Sequence, residues 1–290
     1  MLIKNILILI ILFPCNLYAQ DDSSLTQKEP ILLTKEAGKE KPAGKIYHIN
    51  PAIDWSVSIA AGGWSVYSMT RIYNKPPASE QEIINLNKNN VPSYDRGEAG
   101  VYNRTMDKNS YYPFYGVMPL PLLLLLDKKI AKDKGDIGLL YLESFAFEGL
   151  FYTTSLWLVD RYRPEAYNTN LPLSTRTNGN LRNSFFAGHV AVMANSTFFI
   201  SKIYDDYHPH SNFKWVLYGV SAAATLGMSY MRLEAGQHFP SDIITGIVVG
   251  TACGLLTPQL HKKRDFKEQK WSMLPSFDNG TGGFAFVYRF

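Results

Sequence analysis

Two cysteines in 290 residues are too few for a disulfide framework. One of them, Cys15, falls in the opening run MLIKNILILIILFPCNLYAQ, where Lys4 precedes an apolar stretch and Leu17-Tyr18-Ala19 closes it like a cleavage site. Residues 1–19 are therefore expected to be a signal peptide, and Pro14 before Cys15 argues against lipid attachment. Cleavage leaves Cys253 alone in an apolar run, where a packed core thiol is the default. A one-sided charge is also missing: 29 Lys and Arg stand against 25 Asp and Glu, with the basic residues scattered rather than striped. That excludes a nucleic-acid footprint, while the net +4 favours anionic partners. There is no internal repeat, and strand-like alternation is nearly absent before residue 271.

The chain does contain long apolar and aromatic runs. After a polar stretch at residues 20–45, read as a flexible linker, helices are expected over residues 112–126, 137–159, 190–203, 213–231 and 239–256. Residues 51–69 carry Asp54 and Gly62-Gly63, which suits a helix lying against the fold better than a membrane span. Ser79-Glu80-Gln81-Glu82 reads as a capping box, and residues 87–109 read as loop. At the C-terminus, residues 271–277 and 283–290 flank Asp278-Asn279-Gly280 in the pattern of a hairpin packed on the helices. The fold class expected is an all-α bundle of five to six core helices over residues 46–264, with its motif core at 112–256 and a β-hairpin at 265–290.

Loop lysines suggest an orientation. If residues 20–111 lie outside, residues 112–126 cross inward, and the loop with Lys128, Lys129, Lys132 and Lys134 satisfies the positive-inside rule. Glu143 and Glu148 in the next helix must then face the bundle.

Three short segments come out on one side under that scheme: Arg161-Tyr162-Arg163-Pro164, Ser184 to His189, and Arg232 to Asp242. Arg163 and Arg232 offer permanently charged planar forks suited to phosphate oxygens. Gly188 allows close backbone approach, and a helix starting near His189 aims free N–H groups at the same anion. His238 and Asp242, four apart, would share a helix face, so the carboxylate could hold one ring nitrogen and free the other for attack. Each residue also has a structural reading taken singly: surface cations, a core histidine, a cap pair. Two histidines and a carboxylate could ligate a metal, but paired guanidiniums repel a divalent cation, so no metal or cofactor is expected there.

Arg163-Pro164, Gly188-His189, and Arg232 followed by His238 and Asp242 resemble the three signature blocks of the type 2 phosphatidic acid phosphatase superfamily. That group includes lipid phosphate phosphatases, bacterial class A acid phosphatases and vanadium haloperoxidases. The resemblance implies a metal-independent mechanism: His238 attacks phosphorus, Asp242 orients it, and His189 protonates the leaving oxygen and then activates water. Arg163, Arg232 and the Gly188 amide would hold the equatorial oxygens, with Ala187 offering its backbone N–H. The chain departs from the pattern at Leu156, where the family has Lys, at Ala187, where it has Ser, and at Met231. Arg161, Arg176 or Arg182 could replace the missing cation.

The expected function is phosphate release from a phosphomonoester or pyrophosphate, on a lipid, by an inner-membrane protein whose site faces the periplasm. A soluble periplasmic acid phosphatase and a degenerate phospholipid binder are the alternatives. The expected partners are the phosphorylated substrate and the membrane, with no nucleic acid and no evident protein partner.

Overall fold

The computed structural model describes residues 45–263, 271–278 and 281–288. The expected signal peptide and the linker up to residue 44 lie outside the described residues, as does the Asn279-Gly280 turn. The helices are α1 (Pro51–Ile72), α2 (Glu80–Ile84), α3 (Arg104–Val117), α4 (Lys134–Leu158), α5 (Leu173–Arg176), α6 (Gly188–Tyr207), α7 (Phe213–Glu234) and α8 (Pro240–His261). All lie in one compact all-α unit, Lys45–Lys262. Strands β1 (Trp271–Asp278) and β2 (Thr281–Tyr288) pair antiparallel, Trp271 opposite Tyr288 and Asp278 opposite Thr281.

Helix α6 is the axis of the bundle, packed by α8, α7, α4 and α3. Its residues are small or apolar on nearly every face, and Val190, Ala191, Ala194, Phe199 and Ile203 are fully buried. Helix α8 approaches it along Gly246, Gly250 and Gly254, spaced by four. A Cβ on Gly250 would stand 2.2 Å from the Ala191 carbonyl oxygen, so only hydrogen fits at that contact. Phe199 joins Tyr47, Leu124, Ile130, Leu140 and Ile203 in a core cluster; burying one such ring contributes roughly 1.5–3 kcal/mol. Helix α1 lies along α4, where the Trp64 indole N–H donates to Thr154 Oγ1 at 3.0 Å. Cys253 is a buried free thiol on α8.

Two expectations are corrected. The predicted helix over 112–126 is instead the second half of α3 followed by a 3₁₀ segment, Leu120–Leu126. Asn103 caps α3 by accepting from the Met106 N–H at 3.1 Å, so helix begins inside the stretch read as loop. Pro119 and Pro121, which lack an N–H, end its regular part. The orientation scheme also fails, because residues 45–111 do not all lie opposite the lysine-rich loop. Lys45 pairs with Asp136 at 2.8 Å, and the His48 N–H donates to the His261 carbonyl at 2.7 Å. The start of α1, the loop before α4 and the end of α8 therefore share one end of the bundle. Helix α1 runs from there to the opposite end, where the Ile72 carbonyl accepts from Asn183 Nδ2 at 3.2 Å.

Candidate functional site

The three sequence segments meet at that opposite end, and backbone hydrogen bonds fasten them to one another. Arg163 N–H donates to the Leu181 carbonyl at 2.7 Å and Ser184 N–H to the Arg161 carbonyl at 3.1 Å, joining the first segment to the second. Glu165 N–H donates to the Gly236 carbonyl at 3.0 Å, joining first to third, and Ala187 N–H to the Asp242 carbonyl at 3.1 Å, joining second to third. Gly236 makes the turn into the third segment with φ +69°, where a Cβ would lie 1.9 Å from the Val101 carbonyl oxygen. Glycine is required there on both counts.

His238 lies in the extended segment before α8 and is 2 % exposed. Its Nδ1–H donates to the Ser184 carbonyl at 2.7 Å, which leaves Nε2 as the lone-pair nitrogen. Burial, followed by the charges of Arg232 and Arg163, holds this imidazole well below its ordinary pKa, with His189 adding in the same sense. Arg163, Arg232 and His189 are thus all near enough to His238 for their charges to act on it. His189 stacks on Phe114 with ring centroids 4.1 Å apart and meets the Tyr111 edge at 4.8 Å. Arg232 is 1 % exposed and donates to Asp107 Oδ1 at 2.8 Å and Ser110 Oγ at 2.7 Å. Arg163 donates to Gln237 Oε1, and Gln237 in turn donates to Glu165 at 2.8 Å. Burial pushes the Glu165 carboxyl up, and Arg163 opposes that shift. Three buried nitrogens of this cluster lack a hydrogen-bond partner: Arg163 Nε, Arg232 Nε and His189 Nε2.

Asp242 does not hold His238. Helix α8 begins at Pro240, so His238 precedes it and the shared-face spacing does not apply. As the third residue of the helix, Asp242 turns back to accept from the Phe239 N–H at 2.9 Å, Ser184 Oγ at 2.6 Å, and Arg161. Arg161 is consumed in the same network. Its guanidinium also donates to Asp95 at 2.6 Å and Ser241 Oγ at 2.8 Å, over the Phe239 ring at 4.5 Å. It is a strut between two buried carboxylates, which removes it as a phosphate ligand. The Ala187 N–H, spent on Asp242, is likewise unavailable. Gly188 admits the Tyr152 ring, 2.7 Å from where a Cβ would stand, and its own N–H belongs to the open first turn of α6.

The position that departs from Lys, Leu156, is core at 1 % exposure. Neither loop substitute replaces it: Arg176 donates to the Ala166 and Ile83 carbonyls, and Arg182 pairs with Asp160. Sequence reasoning missed the cations that do border the site. A cleft of about 390 Å³ is lined by Arg104, Asp107, Lys108 and Tyr111 of α3 together with Arg163 and Gln237. The signal was their spacing of three, four and seven residues, which places them on one helical face.

No curated protein and no solved structure matches this chain. Residues 137–266, which contain Arg163, Gly188, His189, Arg232, His238 and Asp242, match the model of the PAP2 superfamily, whose members are generally phosphatases.

Proposed function

We propose that the protein is a phosphatase that passes the phosphoryl group of a lipid phosphate or pyrophosphate through His238. The single observation that carries this reading is the set of three unpartnered buried nitrogens beside a histidine whose tautomer is fixed. Two guanidinium Nε–H groups and the Gly188 N–H would grip the equatorial oxygens, stabilising the charge they carry in transfer. His238 Nε2 forms the bond to phosphorus as the bond to the leaving oxygen breaks. A proton on His189 Nε2 goes to that oxygen. The now neutral His189 then takes a proton from water, whose oxygen attacks the phosphohistidine, releasing phosphate and restoring His238. Asp242, Arg161 and Asp95 act on His238 only through Ser184 and the start of α8, as positioning residues.

Lipid is favoured over a soluble ester by the surface of the helices. Ile59 and Val66 on α1, Trp215 and Leu226 on α7, and Ile244, Val248 and Leu260 on α8 are all exposed. So many outward apolar side chains on one unit fit an acyl-chain environment better than water. Among the described residues, α8 is the one helix long and apolar enough by length and composition to cross a membrane. We assign the lysine-rich end to the cytoplasm by the positive-inside rule and the site to the outer face; because Lys45 shares the lysine-rich end, this orientation is incompatible with export of residues 20–45 behind a cleaved signal peptide. A cysteine at Ser174 should react with an impermeant maleimide on intact cells while one at Lys129 stays unlabelled; the reverse pattern overturns this orientation.

The test of the chemistry is phosphate release from a panel of lipid phosphates by purified protein, with and without a chelator. Release should survive the chelator, fall by about 10³-fold or more in His238→Ala, and pass through an acid-labile phosphoprotein. Release unchanged in that variant overturns the mechanism, and no release from any substrate leaves the chain a lipid-phosphate binder.

A further inference from the structure

Helix α8 has the candidate phosphate site at its first turn and a second ionisable cluster at its last, about 33 Å away for its 22 residues. Asp54 of α1, Glu143 of α4 and His261 of α8 bring one ligand atom each to within 4.8 Å of the others. Asp54 and Glu143 are buried, and His261 is partly so.

The hydrogen bonds around the cluster leave three lone pairs facing inward. His261 Nδ1–H donates to the Thr257 carbonyl at 2.9 Å, so in the neutral ring Nε2 carries a lone pair. That nitrogen stands 3.5 Å from Asp54 Oδ1 and 3.5 Å from Glu143 Oε2. Asp54 Oδ2 is taken by the Asn50 N–H at 2.8 Å, which leaves Oδ1 as the free oxygen. Glu143 Oε2 has no hydrogen-bond partner, although its side chain is only 7 % exposed. An imidazolium bonded to these carboxylates would close to about 2.7–2.9 Å. A tetrahedral metal with bonds of about 2.0–2.1 Å sets its ligands about 3.3 Å apart, nearer to the two histidine–carboxylate spacings of 3.5 Å, and the carboxylates themselves lie within 4.8 Å of each other. The backbone carbonyl on the far ring nitrogen is the outer-sphere arrangement that orients metal-bound histidines. An apolar cleft of about 240 Å³ reaches Glu143 and His261 and supplies a route of entry.

We propose that Asp54, Glu143 and His261 bind one zinc-class divalent ion, with water as the fourth ligand. The two carboxylates balance its charge, and the ion fastens α1, α4 and α8 at the end remote from the phosphate site. The site serves stability and takes no part in phosphoryl transfer, so its test is independent of enzyme activity.

Full-length protein in detergent, stripped with chelator, is titrated with zinc alone and with cobalt alone. The expected result is one zinc per chain, visible bands of four-coordinate cobalt, and a raised melting temperature. His238→Ala should bind zinc as the wild type does. Glu143→Gln and Asp54→Asn, which preserve side-chain shape, should weaken binding by more than the ~10–100-fold that outer-sphere changes cost. Failure to bind zinc, or binding that both substitutions leave intact, overturns the proposal. So does an absence of four-coordinate bands together with a His261 ring protonated on both nitrogens.

Discussion

Replacing Arg161 by alanine distinguishes a strut from a phosphate ligand. The guanidinium bridges Asp95 and Asp242, both with fully buried side chains, and donates to Ser241 as well. Its loss leaves two carboxylates in a dry site, and breaking a buried pair from one side costs about 3–5 kcal/mol. Arg161 itself is 20 % exposed, so water can reach its place and the lower end, about 3 kcal/mol, is expected. For a unit of this size each kcal/mol shifts the melting temperature by about 2–4 °C, so a drop of about 6–12 °C follows. Asp242 would also relax its hold on Ser184, whose carbonyl fixes His238. Turnover should therefore fall more than substrate affinity. Arg161→Lys should rescue little, because one ammonium cannot reproduce the planar fork between two carboxylates. Adding Asp95→Asn to Arg161→Ala should recover part of the loss. Thermal unfolding and phosphate-release kinetics read both effects. An Arg161→Ala protein with unchanged melting and a raised KM alone would refute the strut and restore Arg161 as a ligand.

The depressed His238 pKa places the acid limb of kcat/KM below the ordinary imidazole value of about 6.5, and Arg163→Gln should move it upward by removing a positive charge. The same group makes stability pH-dependent: the unfolded imidazole takes a proton that the folded one refuses, so stability is lost as pH falls below about 6.5 toward the folded value, as acid titration of unfolding will show. Lys108→Ala should raise KM by up to about fivefold at unchanged kcat, since an exposed cation contributes at most ~1 kcal/mol, and more so at low salt. Gly250→Ala should lower stability by about 1–3 kcal/mol through its clash with Ala191, whereas Gly219→Ala, whose Cβ would meet no atom within 4 Å, should raise it by up to about 1 kcal/mol.

Much of this was legible in the sequence because apolar period and motif order are local properties. Helices α4, α6, α7 and α8 lie where the hydrophobic pattern put them, and the segments that carry Arg163, His189 and His238 are fastened to one another at one end of the bundle. What was not legible depends on where a helix begins. Spacing of four between His238 and Asp242 signals a shared face only inside a helix, and Pro240 starts that helix two residues too late. Arg161 looks like any solvent-facing cation until Asp95, 66 residues earlier, is brought beneath it. The face of α3 was hidden because its first turns are polar and their cap, Asn103, reads equally well as loop.

The hydrogen-only contact between α6 and α8 has a consequence for how this architecture can diversify. His189 lies in the first turn of one of those helices and His238 two residues before the start of the other, and a Cβ at Gly246 or Gly250 between them would run into the backbone of Ala187 or Ala191. The separation of the two imidazoles is thus set by main chain, and exchanging side chains cannot tune it. New substrate preferences must then be written elsewhere, on the exposed turns of α3 and the loops beside it, while the reacting pair travels as a fixed part.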